Sequence, residues 1–169
     1  MSKAVLISIR PKWCELIASG KKTIEVRKTC PKLETPFKVY IYQTLPKSGD
    51  WNERDGRVIG EFVCDKIDKI RVFENGTVQF WMLNNLHASC IEYDELADYI
   101  GWGKHGYGWH ISDLVIYDKP KELSEFKRWN RTEENSPCAH TKWLYEPCET
   151  CMECNLKHPP QSWCYVEEH

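Results

Sequence analysis

The sequence predicts a mainly β fold, a small mixed barrel with a few short helices. Its apolar residues fall mostly in short, β-branched runs, and only two segments have helical spacing. Two helices are too few to cover both faces of a parallel sheet, which argues against a doubly wound fold. The chain has 169 residues, 12% of them aromatic, which indicates one folded domain with an appendage.

The first elements set out the pattern. Residues 4–9 form an apolar run that predicts a buried strand. Pro11 suits the first turn of a helix, which carries Trp13 and Leu16 on one face and ends at Gly20. A half-buried strand follows over 23–27, where polar and apolar residues alternate. The remaining predicted elements are strands over 37–44, 56–70 and 109–117, a helix over 94–100 and a glycine-aromatic loop over 101–108.

The charge of the chain is uneven. Residues 1–32 carry a net charge of +6, although the whole chain sums to −2. A protein that coats duplex nucleic acid would normally be basic throughout, so this chain offers a polyanion only a local patch. The alternative is that the basic side chains only keep the first elements soluble.

A polar row lies on the predicted strand 23–27. Glu25 and Arg27 point to the same side of this strand as Thr23, with Lys21 and Lys22 just before it. If the row faces solvent, it is a ladder of ion pairs worth about 0.2–1 kcal/mol each. If it faces a cleft, Arg27 offers a planar fork for a phosphate or a base edge, held by Glu25.

This row and the turn before it resemble the ASCH domain, a group of small PUA-like barrels linked to RNA. The family signature, glycine-x-lysine-x-x-glutamate-x-arginine, is filled by Gly20, Lys22, Glu25 and Arg27. The resemblance covers roughly residues 3–125 and is to bacterial and phage members of the family. The late stretch HGYGWHISDLVIYDKP and the ending PPQSWCYVEE also match them. The resemblance implies that the polar row lines a cleft.

One ASCH group hydrolyses the acetyl amide of acetylated cytidine. Its lysine corresponds to Lys22, but Glu25 stands where that group has a catalytic threonine. This departure argues against the same amidohydrolase activity. Lys22 and Glu25 remain candidate catalytic residues if desolvation lowers the pKa of the lysine, and otherwise form a structural ion pair.

Aromatic side chains near the row indicate a stacking partner for bases. Trp102 and Tyr107 lie between glycines, beside Lys104 and His105. Flat rings in such loops suit unstacked bases, although tryptophans also commonly fill cores. Arg10 ends the first strand, where it would reach the same cleft.

The tail predicts a metal site. Cys148, Cys151 and Cys154 are each separated by two residues, a spacing that lets a turn aim thiolates at one cation about 2.3 Å away. Cys138 would complete a structural zinc site, with Cys164 as the alternative fourth ligand. His140 and His158 are spare candidates, and an iron–sulfur cluster or no metal are the other possibilities. The four other cysteines, at positions 14, 30, 64 and 90, are expected to be plain thiols.

These observations predict two regions, a barrel over 1–125 and a cysteine-rich extension over 126–169 whose last strand, 161–167, returns to the barrel. The expected function is RNA or nucleotide binding in the cleft. The alternatives are a hydrolase acting on a modified nucleoside or RNA there, and a protein-interaction module that uses the cysteine-rich segment. No apolar run is long enough to span a membrane and no export signal is recognised, so we expect a cytoplasmic protein with no membrane partner.

Overall fold

The computed structural model describes residues 2–45, 56–75, 77–79, 83–129 and 155–169, and these residues form two sheets and three short α-helices. The predicted mixed α+β fold, built mostly of strands, is confirmed. The elements are β1 (Lys3–Ile9), α1 (Pro11–Ala18), β2 (Ile24–Arg27), β3 (Phe37–Gln43), β4 (Arg57–Cys64), β5 (Ile67–Val72), β6 (Val78–Gln79), α2 (Leu83–Ser89), α3 (Tyr93–Ile100), β7 (His105–His110), β8 (Ser112–Lys121), a 3₁₀ turn (Leu123–Glu125) and β9 (Trp163–Glu167).

The strands divide into two sheets. The first has the order β8-β4-β3-β1-β9, in which β1 runs parallel to β3 and antiparallel to β9. The second has the order β2-β7-β5-β6 and is antiparallel. β9, the last strand of the chain, thus lies beside β1.

The core lies between the two sheets. Alternate residues of β1 and β3 pack there with Trp109 of β7 and with Cys14 and Ile17 of α1. The other face of the first sheet buries a second cluster, to which Phe126 and Leu156 contribute from beyond the strands. A third cluster joins the second sheet to α3. This packing gives every helix and sheet an apolar face that is removed from water.

Helix α1 begins and ends as its sequence predicts. Arg10 is extended, Pro11 opens the helix, and Gly20 follows it with a φ of +73°. This left-handed conformation carries little strain in glycine, so the chain turns sharply into β2. The turn sets Lys22 immediately before the strand that carries Glu25 and Arg27.

Two predicted strands are wrong in extent. Residues 56–70 do not form one strand, because the chain turns at exposed Asp65 and Lys66, and β4 and β5 join different sheets. Residues 109–117 are divided at Ile111 between β7 and β8.

The expected loop over 101–108 is likewise partly strand, since β7 begins at His105. A Cβ atom at Gly106 would lie 2.6 Å from Ile100 Cδ1, so the missing side chain lets α3 pack directly on β7. The glycine here serves close packing between a helix and a strand rather than a turn.

Lys127 and Asn155 lie on either side of residues 130–154 and form an isolated antiparallel bridge. The amide of Leu156 donates to the carbonyl oxygen of Phe126 at an N···O distance of 2.8 Å. The described residues that flank 130–154 are therefore hydrogen-bonded to each other. None of the helices in the described ranges is long and apolar enough to cross a membrane.

Candidate functional site

Strand β2 turns its two charged residues toward the space between the sheets. Glu25 pairs in register with Trp109, and Arg27 with Tyr107, and both aromatic residues pack into the core between the sheets. Val26, between the two charges, packs on the other side against α3. The polar row is therefore not a solvated ladder, since Glu25 and Arg27 are buried.

Lys22, Glu25 and Arg27 form a buried ion cluster. Their exposed fractions are 1%, 5% and 8%. Lys22 Nζ lies 3.4 Å from Glu25 Oε2, and Arg27 Nη2 lies 3.0 Å from Glu25 Oε1. One carboxylate thus serves two cations, which leaves this low-dielectric region with one positive charge in excess when all three are ionised.

Lys22 is held from three sides. Its Nζ donates to the carbonyl oxygen of Ser89 at 2.5 Å and lies 4.9 Å from the centre of the Trp13 ring. Burial lowers the pKa of Lys22, and the neighbouring Glu25 carboxylate opposes this change without reversing it. Lys22 therefore gives up its proton more readily than a lysine in water does.

Arg27 uses only some of its N–H groups as hydrogen-bond donors to the described residues. Its Nη2 donates to the carbonyl oxygen of Ser8 at 2.6 Å as well as contacting Glu25. Its Nε is buried and has no acceptor among the residues that the structure describes, and the same holds for Trp109 Nε1. Buried donors are rarely left without an acceptor, so a buried water or another oxygen acceptor is expected at these two N–H groups.

Cys14 lies beside this cluster in α1. Burial, and then the negative charge of Glu25, raise the pKa of its thiol to about 12. Its Sγ contacts the carbonyl oxygen of Ile9 at 3.7 Å. Cys14 therefore stays a protonated packing residue near neutral pH rather than a nucleophile.

The other predicted site residues lie outside the buried cluster. Lys21, Thr23 and Arg10 are exposed, and Trp102 is 63% exposed. Tyr107 is half-buried, opposite Arg27. The structure thus brings Lys22, Glu25, Arg27 and Tyr107 together, but leaves Lys21 and Thr23 on the surface. Lys21 and Thr23 precede β2, where the chain is still turning out of α1.

Tyr99 is a site residue that the sequence analysis missed. It lies on α3 and is 38% exposed, and Lys28 Nζ lies 5.1 Å from the centre of its ring. Burial raises the pKa of Tyr99, while its hydrogen bond with Arg27 and the charge of that residue oppose the rise. Tyr99 thus connects the buried Arg27 with the surface. Helical spacing predicts α3, but nothing local indicates which face meets β2.

A second polar cluster was also missed. Asp68 Oδ2 lies 2.7 Å from His110 Nε2 and accepts from Asn85 Nδ2 at 3.0 Å, while its Oδ1 lies 2.8 Å from Lys66 Nζ. Burial alone would raise the pKa of Asp68, but the bonds from Lys66 and His110 lower it overall. This cluster joins β5, β7 and α2 on the side of the second sheet that faces α3. Asp68 and His110 are far apart in sequence, so no spacing reveals them.

The predicted metal ligands Cys138, Cys148, Cys151 and Cys154 lie outside the described residues. Within the described ranges, no three His, Cys, Asp or Glu side chains come together as a metal site. Cys164, the alternative ligand, lies in β9 and packs against the second apolar cluster, on the other face of the first sheet. Burial raises the pKa of its thiol.

A comparison with protein families identifies the family to which the chain belongs. Residues 7–154 match the model of the ASCH domain. The chain belongs to the ASCH domain family. The resemblance drawn from Gly20, Lys22, Glu25 and Arg27 is confirmed at the level of the family.

Solved structures of ASCH proteins share this fold. The crystal structure of ASCH from Zymomonas mobilis has a TM-score of 0.53 at 22% identity and covers 72% of this chain and 75% of its own. A single-residue variant of that protein has a TM-score of 0.63 at 20% identity and covers 98% of this chain and 89% of its own. At these identities the likeness shows the fold alone. A comparison with curated proteins found no match.

Proposed function

We propose that this ASCH protein binds single-stranded RNA or a nucleotide in the cleft at Lys22, Glu25 and Arg27. The observation that carries the proposal is the buried cluster of two cations and one carboxylate, in which Arg27 Nε has no acceptor among the described residues. A phosphate would supply both the missing acceptor and the missing negative charge, whereas a base carbonyl would supply the acceptor alone. The family resemblance to RNA-linked PUA-like barrels supports the same ligand class.

The test is binding of a fluorescent single-stranded RNA by anisotropy at several salt concentrations. We expect binding that weakens as salt rises, because phosphate contacts release counterions. Arg27→Lys keeps the charge but removes the planar fork and Nε, so it should weaken binding about tenfold. Lys119→Gln is the matched control. Lys119 is exposed on β8, at the opposite side of the first sheet from β1 and β9, so this change should leave the affinity for RNA unchanged. Equal affinity of the wild type and Arg27→Lys would refute the proposal.

A second candidate is hydrolysis of a modified nucleoside or of RNA in the same cleft. The observation that favours it is the lowered pKa of Lys22, which is a property of general bases. Incubation with acetylated cytidine, with chromatography of the products, tests this candidate. Released acetate that disappears in Lys22→Met would establish catalysis, whereas binding without product would leave the binding function alone.

We further propose that Cys138, Cys148, Cys151 and Cys154 hold a structural zinc ion. The two-residue spacing of the last three cysteines supports this, and the segment is too poor in apolar residues to form a core of its own. Plasma mass spectrometry should find about one zinc per chain, and a Cys151→Ser variant should lose it. Iron in its place would indicate a cluster, and no metal would refute the proposal.

A further inference from the structure

Tyr99 lies near the buried ion cluster of Lys22, Glu25 and Arg27, on helix α3, whose apolar face is buried. Leu96 and Ile100, on either side of it in α3, are completely or almost completely buried in the cluster that joins α3 to the second sheet. Lys12 Nζ of α1 lies 3.7 Å from Glu95 Oε1 of α3, which ties the two helices together. The backbone of α3 is thus held in place at Tyr99, while 38% of this residue is exposed.

Basic residues lie near Tyr99. The charges of Arg27 and Arg10 both act on its hydroxyl and oppose the rise of its pKa that burial causes. Lys28 Nζ lies 5.1 Å from the ring centre. Arg10 and Lys28 are exposed, and neither forms an ion pair with a carboxylate in the described part of the chain. The charge of Glu25 also acts on the Tyr99 hydroxyl, and Glu25 already pairs with Lys22 and Arg27.

We propose that Tyr99 stacks a base of single-stranded RNA and that Arg10 and Lys28 hold the phosphates on either side of that base. The inference rests on the proposed RNA-binding function and makes it narrower. A partly exposed aromatic ring with Lys28 beside it, and with Arg10 near enough for its charge to act on the hydroxyl, fits a planar group that carries negative charge. A nucleotide within an RNA strand has both features, whereas a free nucleoside lacks the charge. Base–aromatic stacking also tolerates any sequence, so we expect little base preference at this position.

The experiment compares two probes of equal length and charge, a fluorescent hexamer of uridylate and a hexamer with abasic sites. Wild-type protein should bind the base-bearing probe about tenfold more tightly. Tyr99→Phe should keep this preference. Tyr99→Leu, which preserves an apolar side chain without a flat face, should lose it while its affinity for the abasic probe stays the same. Arg10→Gln and Lys28→Gln should each lower the salt dependence of binding to both probes by about one counterion.

Tyr93→Leu is the matched control, because Tyr93 is a similarly exposed tyrosine of the same helix, away from Arg27. It should keep the preference for the base-bearing probe. If Tyr99→Leu retains the preference, or Tyr93→Leu loses it equally, the stacking role of Tyr99 is refuted while RNA binding stands. If wild-type protein binds neither probe, the proposed function itself fails. Melting temperatures of all variants separate a loss of folding from a loss of stacking.

Discussion

Replacing Glu25 by glutamine should destabilise the protein strongly. The carboxylate of Glu25 lies 3.4 Å from Lys22 and 3.0 Å from Arg27, and all three side chains are at least nine-tenths buried. Glutamine keeps the size of the side chain but leaves two buried cations without a counter-charge. Removing one partner of a buried ion pair costs about 3–5 kcal/mol. For a chain of this length that corresponds to a fall in melting temperature of about 6–20 °C.

The loss of stability caused by Glu25→Gln should become smaller as the pH rises. The native pKa of Lys22 is lowered by burial, so the unfolded state binds more protons between that pKa and the ordinary lysine value of about 10.4. Stability therefore rises with pH across this window. Without Glu25 the pKa of Lys22 falls further, because the carboxylate is what raises it. The deficit of Glu25→Gln relative to wild type should thus shrink as the pH rises from 7 to 10.

Calorimetry at pH 7 and pH 10 provides the measurement, with two further variants. Glu95→Gln removes an exposed carboxylate that pairs with Lys12 at 3.7 Å, and should cost no more than about 1 kcal/mol. Adding Lys22→Met to Glu25→Gln removes one unpaired cation and should recover part of the loss. The buried cluster would be refuted if Glu25→Gln had the same melting temperature as Glu95→Gln. It would also be refuted if the loss of stability in Glu25→Gln were the same at both pH values.

Three other predictions follow from the described residues. Asp68→Asn should lower the melting temperature at pH 7, because the lowered pKa of Asp68 stabilises the fold above the ordinary aspartate value of about 3.9; the difference from wild type should shrink as the pH falls from that value through the native pKa. Gly106→Ala should lower the free energy of unfolding, measured with denaturant, by about 1–3 kcal/mol, since the new Cβ would lie 2.6 Å from Ile100 Cδ1. A stability equal to that of wild type would show that α3 shifts freely. Cys14 and Cys64, whose thiol pKa values burial raises to about 12, should resist a thiol reagent at pH 8 until the protein unfolds, and fast labelling of either in the native state would contradict their burial.

Local patterns predicted the elements whose environment is simple. β1 is buried on both faces, so a continuous apolar run identified it, and α1 has its proline and glycine at the expected ends. The break between β4 and β5 escaped notice because more buried and less buried positions alternate along both strands, and this period of two gives no sign of a corner at Asp65. Helix α2 was missed because it contains two asparagines, which are weak helix formers.

The site was predictable in part for a different reason. Glu25 and Arg27 are two residues apart on one strand, so their common side follows from the geometry of a strand. Whether that side faced water or the core depended on β7, which is distant in the sequence. The contacts of Lys22 with Ser89, of Arg27 with Tyr99 and of Asp68 with His110 are all made across tertiary packing, which no spacing in the chain encodes.

The bridge between Lys127 and Asn155 has a consequence for how this protein can vary. Lys127 and Asn155, which flank the segment 130–154, pair with each other, and β9 has its own place beside β1. Both attachments are made by residues outside that segment. We therefore expect the segment to tolerate changes of length and chemistry at little cost to the stability of the two sheets.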